Sequence, residues 1–465
     1  MADRTELLGF DPVCNLNNKL WRLKALSKGI NLDHYTDTYE TLMKLKRDLK
    51  DRPIYVWGAK ITGGAVCSVL IREKFENVKG VIDSNTFVQG KKLFGFTVFS
   101  PEYFWDIAEK STETPFVIVA AAIRAKEIFD ICTAHGLSEN TDLCWADDLL
   151  GPVYEIDLTN SCNLKCPSCP QSNWTRHENA VMSLERFKRI VAHIKKDTPN
   201  VAYIPLFCWT EPLLKKDLPE YVKVLKNEGI LGIISTNFSL DVPYLEELIR
   251  QKPEYFRISF SGFTQETYTK AHRGGNIELV KQNMHKLREL LDKYSPDTFV
   301  EVYYHEYNYS PSGELQEWQK ICNELQYTLF NHSATINPIE NVIRILKGED
   351  VSDIENVLNT LNFDFRDKRY PDICDHPELC YSFKNMFCIT AKGKVLVCDC
   401  VYDEKQALLA DDIEKTTYNE LMLRKKDNKV CIDCLKYGIP LYNFALSSNP
   451  KSSVRKIYEE LVGKE

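Results

Sequence analysis

The chain is poor in the features that mark several functional classes. Positive charge is not in excess: 59 Lys and Arg against 66 Asp and Glu leave a formal net charge of −7. A general nucleic-acid binder needs a basic face for phosphates, so only a local basic pocket remains open. No apolar run approaches the roughly 18 residues of a membrane span. The Met1-Ala2-Asp3 start carries no charged-then-apolar leader, so the expectation is a cytoplasmic protein that contacts neither membrane nor nucleic acid. Internal repeats and low-complexity tracts are also missing. What is there, 44% apolar and 27% charged residues over 465 positions, is a globular composition with room for two or three domains.

Cysteine breaks the pattern of scarcity, with sixteen copies. In a long, leaderless chain, clustered cysteines bind metal more often than they form disulfides. Cys14, Cys67, Cys132, Cys144 and Cys208 are scattered and read as small buried hydrophobes.

Hydrophobic patterning divides the chain. Residues 1–50 form a charged helical segment. Over 51–150, buried strands at 54–57, 78–83 and 116–120 alternate with helices, the pattern of a doubly wound parallel sheet and hence of a Rossmann-like domain. A second alternating series fills 151–345, with strands at 154–158, 201–207, 231–235, 255–260, 299–304 and 327–330 and amphipathic helices such as 183–195 and 277–291. Six strand–helix units make a partial (β/α)6 barrel, with chemistry at the carboxyl ends of its strands. Residues 346–440 change to a linker and a small cysteine-rich domain, and 441–465 are a tail. The fold class is α/β.

Directly after the first barrel strand stands Cys162-Asn163-Leu164-Lys165-Cys166-Pro167-Ser168-Cys169. Three thiolates in one loop reach three corners of one cubane cluster and leave the fourth iron open to a small molecule. Structural zinc normally takes four ligands in paired spacing. Over most of 150–440 the chain resembles the radical SAM superfamily. The resemblance implies a [4Fe–4S] cluster on Cys162, Cys166 and Cys169 whose open iron chelates the amino and carboxylate groups of S-adenosyl-L-methionine. It also implies reductive cleavage of that molecule, after which the 5′-deoxyadenosyl radical takes a hydrogen atom from the substrate. The residue before the third cysteine, usually aromatic in the family, is Ser168 here.

Further stretches follow the same family in order. Cys208-Trp209-Thr210-Glu211-Pro212 stands where relatives have Gly-Gly-Glu-Pro, so the role of holding the ligand's ammonium group falls to Glu211 and the backbone of Thr210. Ser235-Thr236-Asn237 ends the third strand as a Thr-Asn pair does in relatives. Ser259 and Ser261 on the fourth strand are ribose-binding candidates. Arg273, in His272-Arg273-Gly274-Gly275, matches the family's arginine loop and is expected to pair with the carboxylate.

The second constellation is Cys380, Cys398, Cys431 and Cys434. Alternation over 387–390 and 395–397, with Lys392-Gly393 as the turn, predicts a hairpin that brings Cys380 and Cys398 together, and the later CxxC completes a four-thiolate site. The spacing resembles the SPASM/twitch extension of radical SAM enzymes. Because no cysteine follows Cys434, the shorter twitch form with one auxiliary [4Fe–4S] cluster is implied. Zinc remains an alternative, since four cysteines with one CxxC suit it too. Cys374, Cys388 and Cys400 lie nearby as substitute ligands, the latter two reading as strand residues. A fully ligated cluster accepts or relays an electron, which suits two-electron oxidation; a redox-neutral epimerisation needs instead a hydrogen donor, for which a thiol such as Cys374 or Cys400 could serve.

In the first domain, Gly58-Ala59-Lys60-Ile61-Thr62-Gly63 keeps the outer glycines of a dinucleotide fingerprint but has Lys60 at the middle one, which argues against NAD. Gly80-Val81-Ile82-Asp83, Gly90 and Leu93-Phe94-Gly95-Phe96-Thr97-Val98 resemble a Rossmann-like domain of sugar-modifying enzymes. That resemblance makes Lys60, Thr62 and Asp83 candidates for touching a nucleotide or sugar, with a ligand-free docking module as the alternative. The expected whole is a radical SAM oxidoreductase or epimerase acting on a carbohydrate or nucleotide-sugar substrate and fed by a donor such as flavodoxin or ferredoxin. The rival readings are a peptide-modifying maturase and a non-catalytic iron–sulfur sensor or scaffold.

Overall fold

The structure is a computed structural model, and it describes residues 37–121, 124–139, 141–173, 180–362 and 372–441. Most of the expected N-terminal segment and of the 441–465 tail lies outside these, leaving helix Asp37–Asp48 of the former. Among the described residues no helix is long and apolar enough to cross a membrane.

The first sheet contains β1 (Ile54–Trp57), β2 (Val78–Ile82), β3 (Lys92–Leu93), β4 (Phe96–Phe99), β5 (Phe116–Val119) and β6 (Leu143–Trp145) in the order β3-β4-β2-β1-β5-β6. Every pairing is parallel except β3–β4. Period-two alternation assigns the faces of β1. Tyr55 and Trp57 pack with Phe104 and Phe129 on one side, while Ile54 and Val56 pack beneath helix Ile61–Arg72 on the other.

That second core does not stop at the domain. It takes in Val153, Leu231, Tyr255 and Phe299, the first residues of β7 (Val153–Ile156), β9 (Leu231–Thr236), β10 (Tyr255–Phe260) and β11 (Phe299–Glu306). Asn85 Nδ2 donates to Thr328 Oγ1 at 2.9 Å, and Thr328 opens β12 (Thr328–Ser333). The Arg72 guanidinium donates to the Gly229 and Val201 carbonyls at 2.9 and 2.6 Å. The Rossmann-like domain therefore closes the amino ends of the barrel strands.

The barrel sheet runs β12-β11-β10-β9-β8, with β8 at Tyr203–Pro205, and is parallel throughout. β7 lies beside β8, joined where Gly151 N donates to Asn200 O (2.8 Å) and Ala202 N to Pro152 O (3.0 Å). Its helices follow the sequence pattern. Ser183 caps Leu184–Asp197, which buries Phe187, Ile190, Val191 and Ile194, and Asn276 caps Ile277–Tyr294.

The C-terminal segment departs from expectation. β13 (Met386–Ile389) pairs in parallel with β7, Phe387 opposite Tyr154, and β14 (Val395–Leu396) and β15 (Leu408–Ala410) continue antiparallel. The expected hairpin forms, with Gly393 supplying the positive φ of its turn, and its first strand joins the edge of β7. The reason lies in β7: all four of its residues are buried, so an unpaired edge would strand backbone N–H and C=O groups away from water.

Candidate functional site

Alternation along two adjacent strands builds the lumen. Phe256, Ile258 and Phe260 of β10 are fully buried in the barrel core, so Tyr255, Arg257, Ser259 and Ser261 face the other way. On β11 the matching set is Glu301, Tyr303 and His305, with Arg257 opposite Glu301 and Ser259 opposite Tyr303. At the floor Glu301 accepts from Tyr255 Oη (2.5 Å) and Arg257 Nε (3.1 Å). One layer up, Ser259 Oγ lies 3.1 Å from His305 Nε2, and Tyr303 stacks on Phe330 and His332. Burial pulls His305 down to about 3, so its ring is neutral.

The mouth is formed by the loops after these strands. Leu164 N donates to Cys162 Sγ at 3.5 Å. His272 Nδ1 lies 3.7 Å from Cys166 Sγ and its Nε2 lies 3.2 Å from Ser261 Oγ; burial pulls this ring down to about 4. Ser168 Oγ meets Tyr307 Oη at 3.3 Å. Asn237 Nδ2 links three groups: Glu211 Oε2 at 2.6 Å, Asn163 Oδ1 at 2.9 Å and Cys162 Sγ at 4.0 Å. Burial pushes the Cys162 thiol up to about 12 and raises that of Cys166, so taking a metal there means releasing protons.

Glu211 is 2% exposed. Its carboxyl accepts from Leu213 N (3.0 Å), Asn237 N (2.9 Å) and Asn237 Nδ2, and among the described residues no cation pairs with it. Burial pushes it up to about 7, and the two backbone N–H groups offset part of that rise. Among the described residues this buried carboxyl, joined through Asn237 to Cys162, has neutral donors and no counter-charge, so it could accept a cationic group.

Comparison with known proteins finds similarity over part of the chain. Residues 156–308 match the Radical SAM superfamily. A 7,8-dihydro-6-hydroxymethylpterin dimethyltransferase of Methanocaldococcus jannaschii is 32% identical over 161 residues, 34% of this chain and 31% of that protein. A probable GTP 3′,8-cyclase of Methanococcus maripaludis is 30% identical over 138 residues, 30% of this chain and 45% of that protein. The match thus spans less than half the length of either relative. Among solved structures, Streptococcus suis SuiB bound to S-adenosylmethionine is similar at 13% identity, with 72% of this chain and 81% of that one covered and a TM-score of 0.44. BtrN in complex with AdoMet and 2-DOIA gives 18%, 64%, 92% and 0.35.

The residues present at this mouth fit a cluster held by three cysteines. The Cys162, Cys166 and Cys169 loop follows the carboxyl end of β7; N–H donors approach the Cys162 sulfur and the His272 ring approaches that of Cys166. The other expected residues divide. Glu211 and Asn237 come together with the triad, and Ser261 joins through His272. The Thr210 hydroxyl turns away to Asp157 (2.7 Å), leaving its backbone for the mouth. Ser259 sits deeper against His305, and Ser235 pairs across from Arg257. Arg273 is exposed, and its carbonyl accepts from Lys165 N of the triad loop at 2.9 Å. Sequence reasoning missed Asp157, whose Oδ1 also accepts from Cys208 N at 2.8 Å and so shapes the 208–211 loop. It missed His272 and His305 as well. The alternation on β10 and β11 could have found His305, and His272 stood inside the quoted arginine loop.

The four-cysteine set is gathered from separate elements. Cys380 precedes helix Tyr381–Asn385, Cys398 follows β14, and Cys431 and Cys434 lie one turn apart in helix Lys429–Lys436. All four pack against the main hydrophobic core. Burial, with the other three thiols, holds the Cys434 thiol well above its usual range. Among the described residues no three of these sulfurs lie within 4.8 Å of one another. Cys388 is a buried residue of β13, as expected, whereas Cys400 lies in the loop because β14 ends at Leu396. Cys374 is exposed. Segment 399–402 then runs back to the barrel, Asp399 O accepting from Cys208 Sγ (3.8 Å), Val401 O from Trp209 Nε1 (2.8 Å) and Tyr402 Oη donating to Gln171 Oε1 (2.9 Å).

At the carboxyl end of the first sheet, several polar groups are bonded within the chain. Asp83 Oδ2 accepts from Ala59 N at 2.7 Å and its Oδ1 from Asn85 N at 2.8 Å. Lys60 Nζ stands 3.8 Å from Glu301 Oε1. A Cβ at Gly63 would fall 1.7 Å from Gly58 O, so these glycines serve the packing of helix on strand.

Proposed function

We propose that this chain cleaves S-adenosyl-L-methionine reductively and removes a hydrogen atom from a carbohydrate-type substrate, free or nucleotide-linked, oxidising or epimerising it. The observation that carries the reading is the buried Glu211 carboxyl, without a cation of its own, linked through Asn237 to Cys162. Cys162, Cys166 and Cys169 would hold the [4Fe–4S] cluster, which when bound supplies the electron that breaks the sulfonium bond. Glu211 and the Thr210 backbone receive the ammonium group, and Asn237 holds the Glu211 carboxylate in place. Arg273, exposed at the rim, is free to swing toward a carboxylate. Below, Ser259, His305 and the Arg257–Glu301 pair offer hydroxyl, imidazole and paired-charge partners. Polar groups of this kind favour a polyhydroxylated molecule over an apolar peptide segment. Cys380, Cys398, Cys431 and Cys434 would hold an auxiliary cluster, which segment 399–402 connects to the mouth.

The test is release of 5′-deoxyadenosine under anaerobic reduction, with nucleotide sugars, aminocyclitols and peptides supplied in turn. Stimulation by a carbohydrate, with loss of two hydrogens or no mass change in it, supports the reading and separates oxidation from epimerisation. Stimulation by peptides alone overturns the substrate class. No cleavage with any reductant overturns the enzyme and favours a sensor or scaffold.

A further inference from the structure

Lys425 is a buried cation that no step so far employs. It lies in helix Tyr418–Lys426 and is 1% exposed. Its ammonium donates to the Ser382 and Met386 carbonyls at 2.7 and 2.8 Å and stands 4.6 Å from the centre of the Phe387 ring. Ser382 comes two residues after Cys380, so the ammonium is tied to the strand-and-helix corner that presents this ligand. Among the described residues no carboxylate lies within 4.0 Å of it; carbonyls and a ring face solvate it instead. Burial draws the proton off this ammonium, whereas Cys431, Cys398 and Cys380, followed by Asp399, hold the charge on it once they are ionised. A buried ammonium without a paired carboxylate is costly, and four metal-bound thiolates are the counter-charge that this arrangement anticipates.

We infer that the Lys425 ammonium is a fixed positive charge that raises the reduction potential of the four-cysteine cluster. The inference rests on the auxiliary-cluster reading above. The physical argument is one of charge. A cubane with four thiolates carries a net charge of about −2 when oxidised and about −3 after taking one electron. A nearby cation in a medium of low dielectric attracts the more negative state more strongly, so it favours uptake of that electron, and no proton need move. Lys425 thereby suits the site to receiving an electron rather than delivering one.

The experiment uses the full chain, reconstituted anaerobically, with Cys162→Ala, Cys166→Ala and Cys169→Ala to silence the triad. A redox titration followed by electron paramagnetic resonance then reports the remaining cluster alone. Lys425→Gln keeps two N–H donors for the two carbonyls and removes the charge; Lys425→Met removes both. The expected result is an oxidised-to-reduced ratio at least tenfold higher at a given potential in either variant, a downward shift of about 59 mV for a one-electron couple. Lys425→Arg should stay close to the parent. A Lys425→Gln protein that holds its irons at the parent potential overturns the inference, and so does loss of the irons in both neutral variants, which would make Lys425 a folding residue. The two failures separate cleanly: a parent chain with zinc or no iron removes the auxiliary cluster and this inference together, whereas iron at an unchanged potential removes the inference alone.

Discussion

Two parallel sheets in this molecule present the carboxyl ends of their strands, and they use them in opposite ways. In the Rossmann-like sheet the loop after β1 donates its Ala59 N–H to Asp83, and Lys60 faces Glu301 of the neighbouring barrel. In the barrel the corresponding ends carry three thiols, a buried Glu211 carboxyl with no cation among the described residues, and neutral imidazoles. Fold class says where a ligand can go in both. Whether polar groups are already satisfied by the chain itself says which of the two ends is a site.

The largest expected effect is at the barrel end. Replacing any one of Cys162, Cys166 and Cys169 by alanine should reduce 5′-deoxyadenosine release to background and remove about four irons per chain, as read by metal analysis. Retention of cleavage would break the comparison, since the barrel mouth would then be no more of a site than the Rossmann-like strand ends.

A smaller effect sharpens it at Glu211. Glu211→Gln keeps one carbonyl acceptor but removes the charge expected to meet an ammonium group. Binding of S-adenosyl-L-methionine, followed by equilibrium dialysis, should weaken roughly 10- to 100-fold, as for loss of a hydrogen bond to a charged group. The ligand-free protein provides a second readout. Burial raises Glu211 from 4.5 to about 7, so across that window the folded chain keeps a proton that the unfolded chain has lost. Stability must then fall as pH rises from about 4.5 to about 7, by about 3 kcal/mol if this group acts alone. Urea melts at the two ends of the window should show that slope in the parent chain, reduced in Glu211→Gln.

Much of this was legible before the structure. The triad, Glu211 and Asn237 lie at strand ends whose buried runs (for instance 255–260) are readable from alternation, so their convergence follows from barrel geometry. The hairpin around Gly393 was readable for the same reason. The pairing of β13 with β7 was not, because parallel neighbours more than 200 residues apart leave no local signal. His272, His305 and Lys425 were missed for a related reason: each takes its role from a partner on another element, whether Cys166, Ser259 or the Met386 carbonyl. Period-two alternation says which way a side chain points, not what it meets.

The smallest expected effect is therefore at Lys60. Its side chain is 46% exposed and its nearest acid, Glu301, already accepts from Tyr255 and Arg257. An ion pair that open to water contributes no more than about 1 kcal/mol, so Lys60→Ala should shift the urea midpoint only slightly. It should leave both 5′-deoxyadenosine release and any binding of nucleotide sugars at the parent level. If instead nucleotide-sugar binding, followed by calorimetry, fell tenfold in Lys60→Ala, the Rossmann-like strand ends would have to open to admit the ligand and exchange Asp83 and Glu301 for it. The rule drawn from the two sheets would then fail: self-satisfied groups at strand ends would be a closed state of a site rather than the lack of one.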